Sequence, residues 1–369
     1  MTKSDENYLS HGELCMITQF GTEVDYDGDT YTGYFLNGLK HGYGTLIYSN
    51  GDIQEGLWEQ GYITGQCSYS WSSGNKYVGE FKNDKLNGPG TFTGQEFTYE
   101  GDWYDDKRHG EGTFTHSNGI EYSGQWNNDQ MHGEGEYISS KGVMYSGSFM
   151  NDKIHGQGSI RSKHGNTYEG HWENDKKNGY GVKTWIVGKF AGDKYDGNWK
   201  NDKKHGHGIY TWASGSKYEG QYENDMFNGI GKYTFENGDM YEGEFKNGKF
   251  NGEGVLKMTS GSTYTGGFKD ELFSGHGEYI NSLGNRYVGN WIHDKKHGYG
   301  EFYWKDGSKY VGNWKYGQMH GQGEFTQVNG NTYSGIFNEG KEPVEGIYTE
   351  KDGESFPFNR IITVDNTVG

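Results

Sequence analysis

Along most of this chain, small or aromatic residues alternate one for one with polar ones. Tyr122, Gly124 and Trp126 are separated by Ser123, Gln125 and Asn127, and Gly133, Gly135 and Tyr137 by Glu134 and Glu136. A period of two is that of a β-strand, whose successive side chains point to opposite faces. Two such runs joined by the polar stretch Asn127-Asn-Asp-Gln-Met-His132 predict a β-hairpin. The same hairpin recurs about every 23 residues, whole from Tyr122, Tyr145, Tyr168, Tyr195, Tyr218, Tyr241, Tyr264, Tyr287 and Tyr310. Earlier copies start at Tyr31, Tyr77 and Tyr99, with a degenerate one from Gln54 and a broken one from Tyr333. Self-similarity at a fixed period marks a repeat architecture, in which each unit packs on its neighbours.

The segment between the two strands reads Asn-Asp-Lys-Lys before His or Asn in several copies, as at Asn174 to Asn178 and Asn201 to His205. Asn and Asp bond their own backbone in turns, and His and Asn tolerate left-handed conformations, which gives an expected reason for their interchange before the glycine. Asn118-Gly119, Ser214-Gly215, Asn237-Gly238 and Asp306-Gly307 supply the opposite turn, joining one hairpin to the next. The strand glycines need a separate reason, because glycine weakens a strand. Their fixed place between aromatics predicts that each bares the backbone so that a ring lies flat over it.

The repeated Tyr-x-Gly-x-aromatic and His/Asn-Gly-x-Gly pattern resembles the membrane occupation and recognition nexus (MORN) repeat over residues 28 to 350. The expected fold is therefore all-β, an elongated single-layer antiparallel meander of about 14 MORN β-hairpins. At about 4.8 Å between strands it would extend on the order of 130 Å. Residues 1–27 hold a half-repeat, His11-Gly12-Glu13-Leu14, followed by Cys15-Met16-Ile17. Residues 351–369 form a tail that includes Phe356 and Phe358. These ends either cap the open sheet edges or serve as assembly points, the cap being preferred. Irregularities fall at residues 88–99, where Pro89 enters a second strand and the spacing is one residue short, and at 182–194, where Trp185-Ile-Val-Gly-Lys-Phe190 lengthens the step. Each is a bend, a partner contact or a tolerated loop variation.

Composition changes this picture in one respect. Hydrophobic residues are only 31 % of the 369-residue chain, a level that suggests disorder, yet aromatic residues are 17 % and nearly all stand in register. A thick two-layer core is excluded; a thin ring-faced sheet is not. The net charge is −17, with acids on the strand face opposite the aromatics at Glu100, Asp102, Glu134, Glu136, Glu242 and Glu244. That balance argues against nucleic-acid binding. Lysines gather instead at the hairpin tips, and Lys176, Lys177, Lys203, Lys204, Lys295 and Lys296 are expected to form a basic rim. Most follow an aspartate, so the rim reads either as solvated turn chemistry or as a grip on anionic phospholipid head groups.

No catalytic, metal or cofactor site is expected. Successive His-Gly histidines stand about 10 Å apart, too far to share one ion with ligand distances near 2 Å. His205 and His207 are the only close pair, explained by their places in turn and strand. The Gly-x-Gly stretches lack the helix and lysine of a phosphate loop, and no serine or cysteine sits in a nucleophile context. Cys15 and Cys67 make no disulfide framework, and Cys67 replaces a repeat glycine. The amino terminus is polar, and no apolar run approaches twenty residues; the expected place is the reducing cytoplasm.

The resemblance implies a non-catalytic scaffold of a cytoskeletal or ciliary kind, like MORN proteins of radial spoke heads, axonemes or cortical collars. Its expected docking surface is an aromatic trough lined by Trp103, Trp126, Trp172, Trp199, Trp291 and Trp314, holding a peptide or helix of a structural protein. The alternatives are a membrane tether at the cortex, binding anionic phospholipids, and a regulatory subunit of an enzyme. A homodimer through the region after Tyr333 is a further possibility that the family resemblance raises.

Overall fold

The computed structural model describes residues 18–341 and 345–359. The half-repeat before residue 18, the Glu342-Pro343 step and the tail beyond 359 lie outside them. The described residues hold thirty β-strands and no helix. Contacts divide the chain into two units, residues 1–163 with 171–175, and residues 164–170 with 176–369.

In the first unit the strands run as an antiparallel meander, each pairing with the strand before and after it. The hairpin of Glu121–Asn127 with Gln130–Ile138 sets Tyr122 opposite Tyr137, Gly124 opposite Gly135 and Trp126 opposite Met131. The next pairing, with Met144–Met150, sets Gly135 opposite Gly147 and Tyr137 opposite Tyr145. Glycine therefore faces glycine across consecutive strands, and the tyrosine ring lies over that bare floor. A Cβ added at Gly135 would stand 2.6 Å from the Tyr122 ring and hydroxyl. Each repeat hairpin of this unit also carries a register shift, here between Gly124 and Trp126. The bulge turns the Gln125 carbonyl toward the ring face, where it accepts the Tyr122 hydroxyl at 2.7 Å. Buried ring, glycine floor and bulge form one unit of construction.

The second unit repeats this plan from Lys176–Thr184 to Ser355–Asn359. Tyr195 pairs with Tyr210 and Gly197 with Gly208, the Tyr195 hydroxyl donating to Asn198 O at 2.9 Å.

The tips differ from the expectation. They are two-residue turns in which both central residues, such as Asn128 (φ 49°) and Asp129 (φ 68°), are left-handed, the turn geometry that matches strand twist. His132 is not left-handed; the positive φ falls on Gly133 at 62°. The His/Asn interchange therefore has another basis than backbone tolerance. At two repeats the ring packs against a tip tyrosine, His109 on Tyr104 at 5.7 Å and His297 on Tyr316 at 5.2 Å. Because the turn is so short, the second strand starts at the residue after the aspartate, which decides where the lysines point.

The tip aspartates are structural. Asp129 Oδ1 accepts the backbone N–H of Arg108 at 3.1 Å, and the Asp129 N–H donates back to Arg108 O at 3.0 Å. The same reciprocal bonds join Asp152 to Met131 in this unit, and Asp225 to Lys204 and Asp294 to Phe273 in the other. The opposite turns are tied in the same way: Asp52 accepts from Ser72 N, Asp193 from Ala213 N and Asp239 from Thr259 N. Side chains thus staple successive repeats together at many tips and turns, and at other tips, such as Gly248 to Phe227, the backbone bond stands alone. A hydrogen bond to a charged group contributes about 1.5 kcal/mol or more, so Asp225→Ala is expected to lower stability by about that amount. Asp225→Asn, which keeps the accepting oxygen, should lose much less. Urea unfolding of the two variants checks this, and equal losses would contradict it.

Both irregularities leave the register intact. Pro89 pairs with Asp102 in an unbroken ladder, and the missing residue comes out of the turn closed by Gly94 N to Phe97 O. The N–H equivalent to that of Pro89 goes to a carboxylate in sister repeats, Glu111 N to Asp102 and Glu253 N to Glu244. Proline therefore removes no ladder bond here. At 182–194 the extra residues form a loop closed by Trp185 N to Asp193 O at 3.0 Å, after which Gly197 pairs with Gly181. In the degenerate repeat, Gln54 replaces the tyrosine, and Cys67 fills the space left over the glycine floor: a Cβ on Gly56 would stand 2.3 Å from Cys67 Sγ. Burial pushes the Cys67 thiol up.

Candidate functional site

The six tryptophans expected to line a trough are buried. Trp103 is 9 % exposed and Trp126, Trp172, Trp199, Trp291 and Trp314 are 4–6 % exposed. Each packs edge-on against tyrosine rings: Trp126 stands 5.0 Å from Tyr122 in its own repeat and 5.5 Å from Tyr99 in the preceding one. In the second unit Trp199 bridges Tyr195 and Tyr168 in the same way, at 5.0 and 5.5 Å. The indole N–H is used internally, donating to the second glycine carbonyl of the preceding repeat: Trp103 to Gly90, Trp126 to Gly112, Trp172 to Gly158, Trp199 to Gly181, Trp291 to Gly277 and Trp314 to Gly300. Ring faces and donor are both committed to holding one repeat on the next. These side chains are core, and an open trough floored by them is corrected to a closed zipper.

The basic rim is half as wide as expected. Strand alternation from the short tips leaves Lys176, Lys203 and Lys295 exposed but turns Lys177, Lys204 and Lys296 inward. Lys177 Nζ lies 5.5 Å from the Tyr168 ring centre and 2.9 Å from Asp202 Oδ1. Lys204 lies 4.5 Å from Tyr210, and Lys296 lies 4.0 Å from Phe302 and 4.7 Å from Trp314. In sister repeats the same place is filled by Phe227, Phe250 and Phe273, stacked on Tyr218, Tyr241 and Tyr264 at 3.7–3.8 Å. The inward lysines therefore cover rings by cation–π contact, as the phenylalanines do by stacking. Burial among the rings pushes Lys296 down to about 8.

A lowered folded pKa for a lysine means that the charged form opposes folding, a penalty that fades as pH rises from about 8 toward the ordinary lysine value. Lys296→Phe is accordingly expected to stabilise at neutral pH, with a gain that shrinks above pH 8. Thermal unfolding at two pH values reads it; a pH-independent gain would contradict the burial of the charge.

A different row of rings, absent from the sequence-based expectation, is only partly covered. In the first unit Tyr48, Tyr69, Trp71, Phe92, Phe97 and Phe114 follow one another with centroids 4.6–5.8 Å apart. In the second, Trp185, Tyr210, Trp212, Tyr233 and Phe235 do so at 4.6–5.8 Å, and Phe302, Trp304 and Phe325 at 4.5 and 5.5 Å. Apart from Phe97, which opens the strand Phe97–Tyr104, they stand at the end of a second strand, where the chain enters the turn to the next repeat. Tyr210 is buried and the others are half-buried. The indole N–H groups of Trp71, Trp185, Trp212 and Trp304 make no hydrogen bond within the described residues, unlike those of the core. Nearby, Ile186, Val187 and Phe190 on the inserted loop are 40–56 % exposed.

The acids expected on the far side stand there: Glu100, Glu134, Glu136, Glu242 and Glu244 are exposed and Asp102 half-buried. Among the described residues no three His, Cys, Asp or Glu side chains converge to hold a metal ion.

Comparison with known proteins bears on the array. The MORN repeat family model matches thirteen times, at residues 31–53, 55–76, 77–96, 99–120, 122–144, 145–167, 168–189, 195–217, 218–240, 241–263, 264–282, 287–309 and 310–332. MORN repeat-containing protein 3 of Xenopus laevis is 40 % identical over 72 residues, 18 % of this chain and 30 % of that protein. Alsin of Rattus norvegicus is 34 % identical over 77 residues, 20 % of this chain and 5 % of alsin. The matched segment thus spans less than a third of either relative. Among solved structures, the TCP10 domain of Danio rerio CPAP in complex with a STIL peptide has a TM-score of 0.31 at 8 % identity, covering 68 % of this chain and 94 % of that one. With family matches running from residue 31 to residue 332, and Tyr, Gly and ring placed as the repeat requires, this chain belongs to the MORN repeat family.

Proposed function

We propose that this chain is a non-catalytic interaction scaffold associated with the cytoskeleton or a cilium, docking segments of structural proteins on its open rings. The observation that carries this is the contrast between two sets of indoles. One set is closed into the core with its N–H groups bonded; the other stands half-buried in rows, with N–H groups that make no bond among the described residues. Aromatic rows that solvent still reaches, with unused donors, mark interaction surfaces. The docking surface proposed from the sequence moves accordingly, from the core tryptophans to the turn-side rows. The test is proximity labelling in ciliated cells with a tagged copy and with a Trp71→Ala/Trp304→Ala variant. Axonemal, radial-spoke or cortical proteins labelled by the first and lost with the second support the reading. Diffuse labelling that is the same for both overturns it.

A second reading, attachment to anionic phospholipids, is favoured by the exposed Ile186, Val187 and Phe190 beside Lys189. Apolar loop residues next to a lysine suit an anionic bilayer surface. Flotation with phosphatidylserine vesicles at physiological salt tests it, and an unchanged result with Ile186→Asp removes it.

A further inference from the structure

The row in the second unit has a spacing, a donor pattern and a charge that together select one kind of partner. Equivalent rings recur once per repeat, two strand spacings or about 9.6 Å. A polyproline II chain rises about 3.1 Å per residue with three residues per turn, so it presents the same face every 9.3 Å or so. A helix repeats its face after about seven residues, roughly 10.5 Å, and drifts out of register about three times faster. A β-strand, at about 6.8 Å per two residues, does not match at all.

Donors make the same choice. Trp185 and Trp212 offer indole N–H groups with no protein acceptor, beside rings of Tyr210, Tyr233 and Phe235 at centroid steps of 4.6–5.8 Å. A helix has no free carbonyls along its flank, whereas every carbonyl of a polyproline II chain is unbonded and open to a donor.

Charge adds a preference. Lys183 occupies the place held by Tyr210 and Tyr233 in the next repeats, pairing with Tyr195, and its ammonium lies 4.7 Å from the Trp185 ring centre. Lys204 lies 4.5 Å from the Tyr210 ring centre. Neither makes an ion pair among the described residues: Asp225 accepts the Lys204 backbone N–H, and Asp193 accepts the Tyr210 hydroxyl and Ala213 N. Burial pushes both lysines down, so each gains from a carboxylate brought to it.

We propose that residues 183–235 bind an acidic, proline-rich segment in the polyproline II conformation, three residues per repeat. Its carbonyls meet the indole N–H groups of Trp185 and Trp212, its proline rings pack on Trp212 and Tyr233, and its carboxylates meet Lys183 and Lys204. This rests on the docking reading above and names the partner chemistry for one stretch of it.

The test is fluorescence anisotropy of the full chain with a labelled twelve-residue peptide of four Glu-Pro-Pro triplets, at physiological salt. Two controls carry four Gly-Glu-Ser and four Gln-Pro-Pro triplets. The proline-rich acidic peptide is expected to bind about tenfold more tightly than either, a difference of about 1.4 kcal/mol. Trp212→Phe keeps the ring and removes the donor, so binding should weaken several-fold while circular dichroism is unchanged. Lys183→Met should reduce the preference for Glu over Gln several-fold, Lys204 accounting for the rest, while leaving Gln-Pro-Pro binding intact. Equal binding of the flexible acidic peptide, or affinity unchanged by Trp212→Phe, overturns the proposal. So does absence of binding; if the Trp71/Trp304-dependent labelling persists in that case, this inference fails while the scaffold reading stands.

Discussion

Gly197→Val is expected to be among the most destabilising substitutions in the chain. A Cβ at residue 197 would stand 2.4 Å from Gly208 Cα, 2.8 Å from the Tyr195 hydroxyl and 2.9 Å from the His207 carbonyl. The closest neighbour is backbone of the paired strand, which cannot yield without opening the ladder, and the ring above is pinned by its bond to Asn198 O. Overpacking of a fixed core costs about 1–3 kcal/mol and sometimes more. Here valine adds two further methyls to an already impossible contact, so the loss should reach or exceed the top of that range. Gly215→Ala is the control. At φ 93° and with no atom within 4 Å, it meets only backbone strain, about 1–2 kcal/mol. Urea unfolding should rank Gly197→Val well below Gly215→Ala in stability, and the reverse ranking would contradict the ring-on-glycine core.

The second large effect is alkaline unfolding. The tyrosine that opens most repeats, Tyr31 to Tyr310, is buried with its hydroxyl donating to the bulge carbonyl, as Tyr122 and Tyr195 do, and burial pushes its pKa up, to about 12 for Tyr31 and Tyr310, with Tyr122, Tyr195 and Tyr264 raised as well. A raised folded value means that these tyrosines stabilise the fold fully below pH 10, their ordinary value, and that this contribution is lost as pH climbs through about 12. Because the same group recurs in nearly every repeat, many small losses fall in one window. Strand circular dichroism is expected to hold to about pH 10 and collapse near 12, with the core tyrosinate absorbance appearing in the same step. Tyrosinates of the core forming while the strand signal persists would show that the rings are not sealed as described.

How far residue order alone reveals this molecule depends on whether a feature is local. Tyr122-Ser-Gly124-Gln-Trp126 shows its strand, its ring face and its glycine floor within five residues, and Asn118-Gly119 shows its turn. The tip is not legible in this way, because Asn128 and Asp129 both go left-handed, shortening the turn to two residues. That shift of strand onset swaps the inward and outward lysines, so Lys177, Lys204 and Lys296 left the rim. The aspartate staples were invisible because each partner stands about one repeat away, as Asp225 does from Lys204. The alternation puts the core tryptophans on the correct face, but nothing in one repeat shows that the neighbour's tyrosine closes over them. The open rows did leave a signal: an aromatic two residues beyond the second-strand aromatic, as in Tyr69-Ser-Trp71, Tyr210-Thr-Trp212 and Tyr233-Thr-Phe235.

The division of the indoles into two sets is tested most directly by hydrogen exchange of the tryptophan side-chain N–H groups, read by nuclear magnetic resonance on the folded chain. Of the 11 tryptophans, those donating to glycine carbonyls, Trp58 included at 3.2 Å to Gly44 O, are expected to exchange slowly. Trp71, Trp185, Trp212 and Trp304 are expected to exchange fast. Slow exchange of all eleven, or fast exchange of Trp126 and Trp199 alongside Trp212, would contradict it.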